Sequence, residues 1–324
     1  MIRHLVVLRI YEGRLAMGLY PKLLLLHSSQ VSVKRLLCND PESICCYLHC
    51  MNKLTKSEMQ LLLKERGISS SKRDHGHALL IAGQKGTMGA AVIAAKAGIR
   101  SGVGLLTVSV PVEERSIVQN AVPEAMLLIR EDNHIPFDHY TAIGIGPGFG
   151  TGNASEALLA NVLKHATCPL VLDADALTIL SANEKLFDYL PSGTIITPHH
   201  VEFDRLFGVH QTTEERIKTA IHKTREYNII VVLKSHQTAI VTPDEVFYNS
   251  TGNAGLAKGG SGDALTGLIT SLLAQHYFPL DAAKLGVYLH GLAADITLDE
   301  QSMESMIISD VIDNLGKAFN SLRT

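Results

Sequence analysis

From residue 75 onward the chain alternates between two hydrophobic periods. Short, nearly continuous apolar runs at His77–Ala82, Gly104–Val110, Thr141–Ile145, Pro169–Leu172, Thr194–Thr197, Ile229–Leu233 and Thr238–Val241 have the length of strands buried on both faces. Between several of them apolar positions recur at helical spacing, over Ala90–Arg100, Ala154–His165 and Thr213–Tyr227. A further helical pattern, Ala264, Leu265, Leu268, Ile269, Leu272 and Leu273, comes after a glycine cluster. Such alternation predicts an α/β fold with a central, mostly parallel sheet and helices on both faces. Sites in these sheets open beyond the carboxyl ends of the strands, which is where the glycine-rich and polar segments of this chain fall. The stretch MNKLTKSEMQLLLKERG from Met51 adds a short helix carrying Leu61, Leu62 and Leu63. No internal repeat or low-complexity linker divides the chain beyond Met51, so residues 51–324 read as one domain.

Composition narrows the function classes. With 324 residues, 46% hydrophobic and 19% charged, the chain is long enough to bury a sizeable core. A formal charge of −3 offers no basic field to nucleic acid, and the lack of Trp argues against base-stacking platforms. No apolar run approaches the ~18–20 residues of a membrane helix. Neither nucleic acid nor membrane is therefore an expected partner. Cys38, Cys45, Cys46 and Cys50 crowd residues 1–50, and only Cys168 lies in the main body. Without a C-x-x-C pair they suggest neither a disulfide framework nor a zinc site, and reduced, cytoplasmic thiols are expected. Residues 1–50 show no periodicity linking them to the rest, and read as an extension: a start assigned too far upstream, or a targeting segment. The second reading rests on the first 35 residues, where Arg3, Arg9, Arg14, Lys22, Lys34 and Arg35 stand against Glu12 alone.

The chemistry concentrates in NSTGNAGLAKGGSGDALTG, Asn249 to Gly267. Gly259, Gly260 and Gly262 allow a tight, partly left-handed backbone that turns successive N–H groups toward one anion. Asp263 sits where the next helix begins, so unpaired amides and a positive dipole end face whatever phosphate the glycines hold. An isolated G-x-G-D is equally well an ordinary N-cap and loop.

Other segments add candidates. GIGPGFG, Gly144 to Gly150, is not a Rossmann fingerprint, since Phe149 stands where a third glycine would be needed, and no G-x-x-x-x-G-K-[ST] exists. By itself it is a strand-to-helix turn. In TPHHVEFDRL, His199 and His200 come after a buried strand; consecutive side chains point apart and no third ligand is spaced for a metal. Lys234 ends the run IIVVLK. Alone it is a solvated strand end, but beside an anion turn it neutralises phosphate as a mobile point charge. DADAL brings Asp173 and Asp175 to a strand's carboxyl end, where a helix cap and support of a hydrated magnesium ion are both open.

Taken in order, HGHALLIAGQKGTMGAAVIAAKAGIRSGVGLLTVSVP (75–111), AIGIGPGFGT (142–151), PLVLDADAL (169–177), IITPHHVEFDRLFG (195–208), VVLKSHQTAIV (231–241), the Asn249–Gly267 stretch and LGVYLHGLAAD (285–295) resemble one family, the ADP/ATP-dependent NAD(P)H-hydrate dehydratases. The resemblance implies a ribokinase-like fold and repair of the S-form hydrates of NADH and NADPH. ADP, or ATP, is the implied co-substrate with Mg2+, giving AMP or ADP plus phosphate, and the stand-alone bacterial pattern favours ADP. It implies hydrate contacts at Ala90, Gly146, Gly148, His199, His200, Glu202, Phe203, Arg205 and Asp263. Nucleotide contacts are implied at Lys234, Ser235, His236, Gln237, Thr238, Asn253, Gly259, Gly260, Ser261 and Gly262, with Asp263 as the base. The metal ligands stay unassigned. A homo-oligomer, a tetramer in the first instance, is also implied. Ser235 departs from the usual glycine after the lysine, and His200 and Val201 stand where many bacterial members have proline and glycine. Two rival functions share the fold: a small-molecule kinase of the thiazole or hydroxymethylpyrimidine type, and a non-catalytic nucleotide-binding module.

Overall fold

The computed structural model describes residues 7–11, 14–18, 52–130 and 135–324. The chain falls into two units, residues 1–50 and 51–324. In the first, β1 (Val7–Tyr11) and β2 (Arg14–Gly18) form an antiparallel ribbon. Cys38, Cys45, Cys46 and Cys50, and the remaining basic positions on which the targeting reading rests, lie outside the described residues.

The second unit is built on a ten-stranded sheet. Its strands are β3 (Asn52–Lys53), β4 (His77–Ile81), β5 (Leu105–Val110), β6 (Met126–Ile129), β7 (Ala142–Ile145), β8 (Leu170–Leu172), β9 (Ile195–Ile196), β10 (Ile230–Leu233), β11 (Ala239–Val241) and β12 (Val246–Tyr248), in the order β3-β12-β11-β10-β9-β8-β7-β4-β5-β6. From β6 across to β10 every pairing is parallel; β11 is antiparallel to both its neighbours. The helices are α1 (Lys56–Leu62), α2 (Met88–Arg100), α3 (Arg115–Ala121), α4 (Asn153–His165), α5 (Ala174–Ala182), α6 (His200–Phe207), α7 (Thr213–Tyr227), α8 (Ser261–Ala274), α9 (Pro279–Thr297), α10 (Ile308–Asp313) and α11 (Leu315–Ser321).

The continuous apolar runs result from burial on both faces. Ala78 and Leu80 of β4 point into one core with α2, α8 and α9, while Leu79 and Ile81 point into the other with α4, α5 and α7. Period-two alternation thus feeds two cores from one strand. Helix ends carry their own signals. Thr212 caps α7, accepting from the Glu215 amide at 3.2 Å while Glu215 returns to the Thr212 amide at 3.1 Å, and left-handed Asn228 ends the helix.

Two features of the fold place the site. Strand β4 lies between β5 and β7, so the chain leaves it toward opposite sides and opens a crevice at the carboxyl ends. There the Gly83 amide donates to the Pro147 carbonyl at 2.8 Å and the Gly146 amide to that of Ile81 at 3.2 Å. The second feature is how closely α8 lies on α2: a Cβ on Gly267 would stand 1.9 Å from the Ala94 carbonyl oxygen. Only glycine permits that approach, and it fixes where the amino end of α8 points.

Candidate active site

The residues of the site come from neighbouring strand ends. Strand β9 continues past Ile196 so that His199 pairs with Lys234 in a parallel bridge, and the Lys234 amide donates to the Pro198 carbonyl at 2.9 Å. Lys234 comes directly after β10, and Asp173 directly after β8. The Lys234 ammonium donates to Asp173 Oδ1 at 2.7 Å and lies 3.8 Å from Glu202 Oε2, while the Thr266 hydroxyl donates to Asp173 Oδ2 at 2.8 Å. Burial alone would raise the Asp173 carboxyl; Lys234 and the hydroxyls of Thr197 and Thr266 hold it below the usual carboxylate value. Burial likewise opposes the Lys234 ammonium, but Asp173, Glu202 and Asp263 keep it above the ordinary lysine value. Lys234 is therefore charged and fixed.

The first turn of α8 closes over this pair. Gly260 is its N-cap, left-handed at φ 93°, and no side chain caps the turn. Among the described residues the amides of Gly262 and Asp263 find no acceptor, which leaves oriented donors at the positive end of a helix. A Cβ on Gly262 would lie 3.1 Å from Lys234 Nζ and 3.4 Å from Asp173 Oδ2. Lysine charge and helix amides thus face one place.

Asp263 is the third residue of α8, not its N-cap, so the capping alternative for this residue fails. Its carboxylate makes no hydrogen bond among the described residues. Burial, with repulsion from Asp173 outweighing attraction to Lys234, pushes its pKa up to about 6. A carboxyl group poised there is suited to accept a proton near neutrality.

The Gly146–Gly150 turn borders the same cleft. At Gly146, with φ 132°, a Cβ would meet the Asp173 carbonyl oxygen at 1.8 Å. Thr87 Oγ1 donates to the Gly148 carbonyl at 2.7 Å, and a Cβ on Gly148 would reach Ala90 at 3.0 Å, so Ala90 lies against this turn. The Gly150 amide donates to Asp175 Oδ2 at 2.7 Å. Ala174, between the two acids of DADAL, sits in the left-handed region at φ 46°, a strained setting for a residue with a Cβ.

Both acids of DADAL have partners within the fold, Asp173 in Lys234 and Thr266, and Asp175 in the Gly150 amide. Among the described residues no group of three or more His, Cys, Asp or Glu is placed to hold a metal ion.

The remaining candidates divide. His199 caps α6, its Nδ1 accepting from the Val201 and Glu202 amides at 3.2 and 3.3 Å, with half of its side chain exposed. Glu202 closes the capping box and is buried beside Lys234. His200 starts the same helix, its Nε2 buried without a partner among the described residues. Phe203 is wholly buried against Phe207 and His210 and faces the core rather than the cleft. Arg205 is exposed and donates to Thr178 Oγ1 at 3.0 Å. From Ser235 through His236 and Gln237 to Thr238 the chain makes a turn closed by the Ser235 hydroxyl on the Gln237 carbonyl at 2.8 Å. Ser235 has no positive φ, so the backbone here does not need the usual glycine. Asn253 Nδ2 donates to Asp295 Oδ1 at 3.0 Å, which ties the lead-in of the glycine turn to α9. Sequence reasoning missed Thr266, Asp295 and the pairing of Asp173 with Lys234. DADAL and LGVYLHGLAAD marked the acids, but nothing local in them names a partner.

A parallel sheet with a lysine, an uncapped helix amino end and a buried carboxylate at its carboxyl edge defines a nucleotide-handling α/β protein of ribokinase-like architecture. Residues 78–317 match the Carb_kinase family, NAD(P)H-hydrate dehydratase, and the chain belongs to that family. It is 34% identical over 276 residues to the ADP-dependent (S)-NAD(P)H-hydrate dehydratase of Bacillus subtilis, covering 82% of this chain and 98% of that protein. It is 33% identical over 285 residues to the bifunctional NAD(P)H-hydrate repair enzyme Nnr of Moorella thermoacetica, and its match spans 54% of that longer protein. The crystal structure of the Bacillus subtilis ADP/ATP-dependent NAD(P)H-hydrate dehydratase co-crystallised with ATP/Mg2+ superposes with a TM-score of 0.75 at 31% identity, covering 84% of this chain and 99% of that one.

Proposed function

We propose that this protein dehydrates the S-form hydrates of NADH and NADPH at the expense of ADP, restoring the reduced dinucleotides. One arrangement carries the reading: Lys234, held by Asp173, lies directly beneath Gly262 in the uncapped first turn of α8, one residue before Asp263. Phosphates enter against the lysine and the turn amides. The hydrate's hydroxyl oxygen attacks the terminal phosphorus, its proton passes to Asp263, and AMP leaves. The carbon–oxygen bond then breaks with phosphate departing and a proton lost from the neighbouring carbon, which re-forms the ring double bond. The protein contributes positioning and charge neutralisation to the first step.

Mg2+ would accompany the nucleotide and supply charge neutralisation at its phosphates, as suits a hard ion that dehydrates reluctantly. The hydrated dinucleotide lies along Ala90, Gly146, Gly148 and the start of α6, and the adenine nucleotide along residues 234–238, Asn253 and the glycine turn. Residues 51–324 carry the whole activity. A homo-oligomer acting in the cytoplasm, tetrameric in the first instance, completes the proposal and rests on the family resemblance.

The test is to mix the protein with hydrated NADH, magnesium and either ADP or ATP, and follow recovery of the reduced-nicotinamide absorbance. Recovery with release of phosphate, and with ADP at least as effective as ATP, is expected. Accumulation of a stable phosphorylated product would instead mark a small-molecule kinase, and no turnover with bound nucleotide a binding module.

A further inference from the structure

Arg130 comes immediately after β6, yet its side chain reaches back across two strands. Nη1 donates to the Gly83 carbonyl at 3.1 Å, and Nη2 to the Ala82 carbonyl at 3.1 Å and to the Ser109 carbonyl; Nε lies 3.5 Å from Ser109 Oγ. The guanidinium also lies over the Phe149 ring, 5.1 Å from its centroid. No carboxylate among the described residues pairs with it. Burial pulls it down to about 10, which leaves it charged near neutrality. An arginine largely withdrawn from water and satisfied by backbone carbonyls is an expensive side chain to keep for general stability.

What it grips gives it a use. Gly83 is the residue whose amide holds the Pro147 carbonyl, and Phe149 is the residue between Gly148 and Gly150 in the same turn. One planar fork therefore fixes the ends of β4 and β5 and one side of the Gly146–Gly150 turn together, a geometry that a lysine point charge cannot reproduce. We infer that Arg130 is a positioning residue that sets the Gly146–Gly150 turn for the hydrated dinucleotide, while the nucleotide subsite at Lys234 and α8 stands independently of it. The inference rests on the assignment of that turn to the hydrate.

Steady-state kinetics of Arg130→Lys and Arg130→Met test it, with hydrated NADH and ADP varied in turn. The KM for the hydrate is expected to rise about 10–100-fold, as for a displaced substrate-positioning group, while the KM for ADP moves less than about threefold. Amide exchange at Gly83 and Gly146 should quicken in the variants, with Gly262 and Asp263 unchanged. Equal movement of both KM values, or no movement of either, would overturn the inference. Should Arg130→Met fail to fold, Arg130→Lys, which retains charge and most of the stem, carries the same measurement. A wild-type protein inactive on the hydrate would refute the functional reading instead, and the exchange pattern would still decide whether Arg130 sets the turn.

Discussion

Asp173 Oδ1 lies 2.7 Å from Lys234 Nζ, with the aspartate side chain only 1% exposed, beneath the first turn of α8. The pair puts a cation at a fixed place facing the helix amides and balances it from behind. Asp173→Asn removes the balancing charge while keeping the shape. An ADP KM raised about tenfold or more and a stability loss approaching the ~3–5 kcal/mol of a broken buried pair are expected, checked by kinetics and urea unfolding. Unchanged nucleotide affinity would show that Lys234 finds its place without Asp173.

Gly262→Ala separates binding from folding. Its Cβ would stand 3.1 Å from Lys234 Nζ and push the ammonium aside. Alanine is favoured over glycine in a helix by up to ~1 kcal/mol, which offsets part of the cost of displacing the ammonium, so the unfolding midpoint should change little while ADP affinity falls about tenfold. Calorimetric titration with ADP and thermal unfolding on one preparation check both halves.

With Asp263 as the proposed base, the pH dependence of turnover should follow its ionisation. Its carboxyl titrates at about 6 in the folded protein against 3.8 ordinarily, and only the ionised form accepts a proton. The kcat/KM for the hydrate should therefore be level above that pH and fall tenfold per unit below it. A profile flat down to pH 5 would contradict the assignment.

Residues 51–324 are expected to suffice. A chain beginning at Met51 should fold and turn over hydrated NADH at the full rate, measured beside the 324-residue protein. Loss of folding on removal of residues 1–50 would show that they pack as part of the catalytic unit.

How much of this is legible in the sequence depends on range. The seven continuous runs, six of them parallel strands and the seventh the antiparallel β11, and the helices at 90–100, 154–165 and 213–227 are visible because burial on both faces makes strands continuous and burial on one face makes helices periodic. Strand β6, with Met126 exposed, and β12, half-buried throughout, lack that signature and escape a reading by periodicity. Helix α9, apolar around much of its circumference, shows little amphipathic contrast. The glycine turn, Lys234 and Asp263 announce themselves through local chemistry. The contacts that give them meaning, Asp173 to Lys234 across 61 positions and Thr266 to Asp173 across 93, come from sheet order, which no local pattern encodes. Ala174 at positive φ carries no residue signal at all.

The most direct test of the account is Asp263→Asn. A group whose folded pKa is raised lends the fold stability below its unfolded pKa, and loses it as pH rises through the folded value; above pH 6 the ionised Asp263 is a burden. A shift from 3.8 to about 6 corresponds to at most ~3 kcal/mol, reduced by its partial exposure. Asparagine carries no such charge. At pH 7 the variant should therefore unfold at a higher temperature than the wild type, bind ADP nearly as well through Lys234 and the turn amides, and lose roughly 10²–10⁴-fold in turnover of hydrated NADH. A variant that dehydrates the hydrate at the wild-type rate would remove Asp263 from the chemistry and contradict the account.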